Sequence, residues 1–132
     1  MKKTSIKLRV RYGETDQMGI VYYGTYPDYL EQGRTEWLRA LGFSYRKLEE
    51  EGIMLPVIRL EIDYRQPARY DDLITVTTSL RKTPAFKIEF DYEIHDQDGQ
   101  LLVSAYTALA FVNKESGKLM RAPDYLLARM TA

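Results

Sequence analysis

The chain has no cysteine and only one histidine, His95, among its 132 residues. Without cysteine there is no disulfide, no thiolate nucleophile and no Cys-ligated metal site. Catalysis would have to fall on carboxylates, hydroxyls, lysines or backbone amides. An excess charge of either sign is also missing. Nineteen basic side chains balance nineteen acidic ones, so no net field draws the molecule toward nucleic acid or an anionic membrane. No apolar run approaches the roughly 20 residues that span a bilayer. The opening MKKTSIKLRV alternates apolar with charged or polar residues and has no signal-peptide h-region. The expectation is a soluble, cytoplasmic protein of one domain, residues 1–132, with one hydrophobic core.

What the chain does have is alternation. Four segments carry the period of a half-buried strand. These are Ile6, Leu8, Val10 and Tyr12; then Ile58, Leu60, Ile62 and Tyr64; then Ile74, Val76, Thr78 and Leu80; and finally Phe86 to Ile94. Asp96-Gln97-Asp98-Gly99 reads as a hairpin turn. Gln100 to Val112 reads as a fifth strand, apolar on both faces and therefore central or doubly packed. Asn113 to Lys118 is a further turn, and Pro123 opens a short terminal helix with Leu126, Leu127 and Met130.

One long helix is expected from about Thr25 to Leu41, with Thr25 and Asp28 as a capping box and Pro27 in the first turn. Its buried stripe reads Tyr26, Tyr29, Leu30, Gly33, Trp37, Leu38 and Leu41, and Gly42 stops it. Gly33 in mid-helix implies close approach to another backbone. Ser44 to Glu51 reads as a second, short helix. The order β-α-β-β-β-β is an α+β arrangement. One helix cannot cover both faces of five strands, and eleven tyrosines with one tryptophan point to subunit contacts.

The stretch TDQMGIVYYGTY, Thr15 to Tyr26, concentrates the chemistry. Asp16 sits in a glycine-containing loop just before a helix start. Aspartate is charged at neutral pH, so it can act as a nucleophile or orient water as a base, or it can serve only an Asx turn. A helix start near Tyr23 and Gly24 offers unpaired N–H groups that can polarise a carbonyl, as every helix start can. Together they are the minimum equipment for attacking a carbonyl without metal, cysteine or histidine.

From Thr15 to Arg34 the sequence TDQMGIVYYGTYPDYLEQGR resembles the 4-hydroxybenzoyl-CoA thioesterase-like family of hotdog-fold acyl-CoA thioesterases, nearest its tol-pal-associated and long-chain branches. The matching positions are Asp16, Gly19, Val21, Tyr22, Tyr26, Glu31 and Arg34. Tyr23 stands where many members have histidine, and Thr25 where many have asparagine. The resemblance implies a five-stranded antiparallel sheet wrapped around one long central helix. It implies hydrolysis of an acyl-CoA or acyl-carrier-protein thioester, with Asp16 and the Tyr23 and Gly24 backbone N–H groups as the catalytic set. It further implies homodimers or homotetramers with the active site between subunits, and no cofactor beyond the CoA of the substrate.

Other assignments stay more open. Gly19 fits a substrate approach or a simple turn, while Tyr22 and Tyr26 fit an acyl pocket or the core. Glu31 fits a family position or an exposed pair with Arg34 at i+3. Arg59, Arg65, Arg69, Arg81, Lys82 and Lys87 are candidates for CoA phosphates by charge, with Arg81 and Lys82 nearest the family's nucleotide region. His95 reads as a surface residue. The rival readings are a non-catalytic acyl-thioester binding protein and, further off, a hotdog dehydratase.

Overall fold

The computed structural model of the chain describes residues 2–130. Five strands make one antiparallel sheet: β1 (Lys3–Arg9), β3 (Val57–Tyr64), β4 (Leu73–Leu80), β5 (Lys87–His95) and β6 (Leu101–Ala110), in the spatial order β1-β4-β5-β6-β3. The helix α1 (Tyr26–Ala40) lies on the inner face, against β1 and β4. This is the hotdog arrangement. Around it are α2 (Tyr45–Glu50), a two-stranded ribbon of β2 (Ile53–Met54) with β7 (Val112–Asn113), and α3 (Asp124–Met130). No described helix is long and apolar enough to cross a membrane.

The helical stripe is buried as the periodicity requires: Tyr26, Tyr29, Leu30, Gly33, Trp37, Leu38 and Leu41 all face inward. Pro27 occupies the first turn, and Gly42 ends the helix at φ +93°. The cap differs from expectation. A 3-10 turn, Tyr23–Thr25, leads into α1, so Thr25 is already helical and caps nothing with its side chain. Its hydroxyl instead donates to the Glu14 carbonyl at 3.4 Å. At α2 the Ser44 hydroxyl does cap, accepting from the Lys47 N–H at 3.1 Å.

Gly33 closes on side chains rather than on a backbone. A methyl group added there would sit 2.6 Å from Thr78 Oγ1 and 3.0 Å from Val76 Cγ1. Both neighbours are buried and β-branched, with little rotamer freedom to retreat. Alanine gains about 1 kcal/mol of helix propensity over glycine, and overpacking costs about 1–3 kcal/mol. We expect Gly33→Ala to lower the urea unfolding midpoint; a raised midpoint would mean that β4 yields.

β4 alternates as predicted, with Ile74, Val76, Thr78 and Leu80 inward. β6 is an interior strand, buried on both faces, with β5 at the centre. Two expectations need correction. β1 stops at Arg9, so Val10 is the last inward residue, and Tyr12 stands 79% exposed on a 3-10 turn, Tyr12–Glu14. β3 has no dry face: Ile58, Leu60 and Tyr64 are exposed. The physical reason is that α1 covers the β1–β4 half of the sheet, while β3 forms the far edge, paired only to β6.

Candidate active site

Residues 15–21 fold as a miniature hairpin. Thr15 bridges Val21, and the Asp16 N–H donates to the Ile20 carbonyl at 2.8 Å. Between them the Gly19 N–H closes a turn onto the Asp16 carbonyl at 3.0 Å, with Gly19 at φ +79°. No other part of the described chain lies within 4 Å of a Cβ built there, so Gly19 serves the turn and its outer side stays open. One carboxylate oxygen of Asp16 accepts from the Met18 N–H at 2.8 Å, an Asx turn. The other has no hydrogen-bond partner among the described residues. The turn occupies only half of the carboxylate.

Asp16 lines a pocket of about 370 Å³ with Met18, Ile20, Val21, Tyr23, Tyr26, Tyr64, Arg65, Gln66 and Pro67. Its wall is mostly apolar and aromatic, the usual character of a small-molecule site. Tyr26 is buried, its ring 5.4 Å from that of Tyr64, whose hydroxyl donates to the Tyr23 carbonyl at 3.0 Å. Tyr22 adopts extended backbone ahead of the 3-10 turn and acts as its cap. Tyr23 and Gly24 are thus the first two residues of the helical start, and their N–H groups have no backbone acceptor among the described residues.

Outside this lining, in a groove with Arg11 and Tyr29, stands Glu14, which the sequence reading passed over. Its carboxylate accepts from the Arg11 N–H at 2.9 Å, the Arg11 Nε at 3.0 Å and the Tyr29 hydroxyl at 2.8 Å. Burial alone would raise its pKa, but these bonds and the Arg11 charge hold it below the usual glutamate value. Burial, and then the bond to Glu14, push the Tyr29 hydroxyl well up. The spacing of 15 residues between Glu14 and Tyr29 carries no local sequence signal.

The structure brings Asp16, Tyr23 and Tyr26 into one pocket and leaves other candidates outside it. Gly24 is near the pocket in sequence but not in its lining. Tyr22 is exposed and packs on the Tyr23 ring at 4.6 Å, and its own ring would lie 2.7 Å from a Cβ at Gly24. Glu31 is exposed in a separate groove with Lys7, Gln32 and Arg39. The expected Glu31–Arg34 pair does not form. Arg34 falls in the buried stripe, where burial opposes its charge and the hydroxyls of Tyr92 and Tyr45 more than offset that.

Arg81 and Lys82 stand elsewhere, beside the sheet's outer face. Arg81 makes a two-point contact with Asp91, at 3.1 and 2.6 Å, and lies 4.1 Å over the Tyr106 ring. Lys82 pairs with Glu89 at 3.4 Å. Glu89 itself is buried against the alternation: its Oε2 accepts from the Tyr106 hydroxyl, while Oε1 faces Lys82 without a hydrogen bond. Of the basic candidates only Arg65 lines the pocket. His95 is half-buried at the end of β5 and outside the lining. Pocket residues that sequence reasoning missed come from far along the chain, Tyr64 from the end of β3 and Gln66–Pro67 from the β3–β4 connection. A signal existed only in Tyr64 ending an alternating strand.

Comparison with known proteins finds relatives that align along most of the chain. The Thioesterase-like superfamily profile matches residues 10–130. YneP of Bacillus subtilis (strain 168) is 38% identical over 112 residues, 85% of this chain and 81% of its own. The acyl-CoA thioester hydrolase YbgC of Escherichia coli O6:H1 is 30% identical over 92% of this chain and 90% of its own. Among solved structures, the DHNA-CoA thioesterase of Staphylococcus aureus superposes with a TM-score of 0.92 at 29% identity, covering 99% of this chain and 92% of that one.

Proposed function

The chain belongs to the Thioesterase-like superfamily, and from that premise we propose that Asp16 and the Tyr23 N–H act together on the thioester carbonyl of a substrate held in the pocket. The chain is a thioester hydrolase of the acyl-CoA class, releasing a carboxylic acid and a thiol. In the proposed step the Tyr23 N–H, with the Gly24 N–H beside it, polarises the carbonyl oxygen and takes up the developing negative charge. The free oxygen of Asp16 either attacks the carbonyl carbon, expelling the thiolate and leaving a mixed anhydride that water cleaves, or removes a proton from the water that attacks. Both routes consume one water and return the carboxylate unchanged. CoA takes part only as the leaving group.

The observation that carries this reading is the half-free carboxylate of Asp16 lining an apolar pocket together with Tyr23. The apolar wall of Met18, Ile20, Tyr26 and Tyr64 suits an acyl group, and Arg65 at its rim suits a phosphate of the CoA moiety. An acyl-carrier-protein thioester is the alternative substrate. The reading is tested by thiol release from a panel of acyl-CoAs. A non-catalytic thioester-binding protein would bind such ligands and release no thiol. Because the CoA nucleotide does not cross bilayers, the proposed site of action is the cytoplasm.

The proposed assembly is a homodimer, alone or as half of a homotetramer, built on β3. That edge lacks a partner on one side, and its exposed Ile58, Leu60 and Tyr64 form a strip that α1 leaves uncovered. Tyr64 also lines the pocket, so a second copy seated there would help enclose substrate. Leu60→Asp puts a charge on that strip at a position already 43% exposed in one copy. Light scattering should report a fall in mass from oligomer to monomer, with most thiol-releasing activity lost. A wild type that is itself monomeric at micromolar concentration would refute the assembly.

A further inference from the structure

We propose that Glu14 is a positioning residue for this reaction: it clamps the loop that carries Asp16 to the helical start that offers the Tyr23 N–H. The inference rests on the roles given above to Asp16 and Tyr23. Among the described residues Asp16 itself is bonded only within its own hairpin, to Met18, Gly19 and Ile20. Those contacts shape the hairpin but do not fix where it stands relative to α1. Glu14, two residues earlier, does so from both its side chain and its backbone.

The side chain, 14% exposed, reaches into α1, where Tyr29 is 1% exposed and donates its hydroxyl at 2.8 Å. It also gathers the Arg11 N–H and guanidinium, fixing the turn at the end of β1. Its backbone carbonyl accepts from the Tyr22 N–H at 2.9 Å and from the Thr25 hydroxyl at 3.4 Å. Tyr22 and Thr25 bracket Tyr23 and Gly24. One residue therefore ties the stretch before the carboxylate to the turn that carries the amides. A second tether, the Val21 N–H on the Ala68 carbonyl at 2.8 Å, holds the hairpin's other end against the β3–β4 connection. Without the Glu14 side chain the hairpin keeps its shape, the backbone bonds to Tyr22 and Thr25 and the Ala68 tether, but it loses its ties to Tyr29 in α1 and to Arg11 and can shift against the helix. A displacement of about 1 Å at a reacting group can cost about 100-fold in rate.

The test measures kcat and KM for Glu14→Ala, Glu14→Gln and Tyr29→Phe, together with the affinity and stoichiometry for a non-hydrolysable S-alkyl-CoA thioether. We expect Glu14→Ala to lower kcat roughly 10- to 100-fold while KM and thioether binding stay within about threefold. Glu14→Gln keeps an acceptor for Tyr29 and the Arg11 N–H and should recover most of kcat. Tyr29→Phe keeps the buried ring and should lower kcat by a smaller factor, so it carries the test if Glu14→Ala does not fold. An unchanged kcat in both Glu14→Ala and Tyr29→Phe would overturn the inference. So would a parallel loss of kcat and binding stoichiometry, as a merely structural role requires, or a Glu14→Gln variant no better than Glu14→Ala. Asp16→Asn is assayed alongside. If it turns over normally, the reading of the site fails; if it is inactive while Glu14→Ala is not, only the clamp fails.

Discussion

Asp16→Asn should lower kcat by at least about 100-fold while the affinity for a non-hydrolysable S-alkyl-CoA thioether changes by less than about threefold. The asymmetry follows from what the substitution preserves. The amide oxygen of asparagine still accepts from the Met18 N–H, so the Asx turn and the hairpin around it persist. The apolar pocket wall of Met18, Ile20, Tyr26 and Tyr64 is untouched. What is lost is the second, unpartnered oxygen as base or nucleophile, and a positioned proton acceptor contributes about 100- to 10,000-fold. Loss of binding in step with rate would instead mean that the carboxylate holds the loop together. A rate within threefold of wild type would remove Asp16 from the chemistry.

Trp37→Ala should cost about 3–5 kcal/mol of stability, the usual range for deleting a large aromatic side chain from a core. Trp37 is 0% exposed, packs its ring 4.9 Å from that of Phe90 on β5, and donates its indole N–H to the Lys2 carbonyl at 3.0 Å. The substitution therefore opens a cavity between α1 and the centre of the sheet and removes a tie to the start of β1. For a chain of this length we expect Tm to fall by about 10–15 °C. Arg39→Ala on the same helix removes only an exposed pair with Glu36 and should move Tm by no more than a degree or two. A drop below about 2 kcal/mol for Trp37→Ala would mean that the helix and sheet close over the gap.

Local pattern made α1 and β4 legible, because each has a single buried face whose period survives in the sequence. The Asp96–Gly99 turn was legible for a different reason: the Asp96 side chain accepts from the Asp98 and Gln100 N–H groups, and Gly99 takes φ +80°. Arg34 was not legible, since a charged residue inside an apolar stripe looks like the edge of an exposed face until Tyr45 and Tyr92 are brought beside it. β3 misled in the opposite sense. Its alternation is genuine, but the cover for its apolar side does not come from α1.

The candidate site divides along the same line. Asp16 and the helical start lie within ten residues of each other, so their proximity could be read directly. Tyr64, Arg65, Gln66 and Pro67 complete the pocket through sheet topology, and Glu14 reaches Tyr29 through a turn that no periodicity announces. Arg81 and Lys82, chosen by charge and strand position, meet Asp91 and Glu89 on the outer side of the sheet. Charge in a sequence marks a surface; only the fold decides which surface.

The measurement that bears most directly on the central claim is thiol release from a panel of aliphatic and aromatic acyl-CoAs, with wild type and Asp16→Asn run side by side and the acid product identified by mass. We predict stoichiometric free CoA and carboxylic acid from at least one substrate with wild type, and at least a 100-fold lower kcat/KM with Asp16→Asn. A wild type that binds these thioesters yet releases no thiol, or an Asp16→Asn rate equal to wild type, would contradict it.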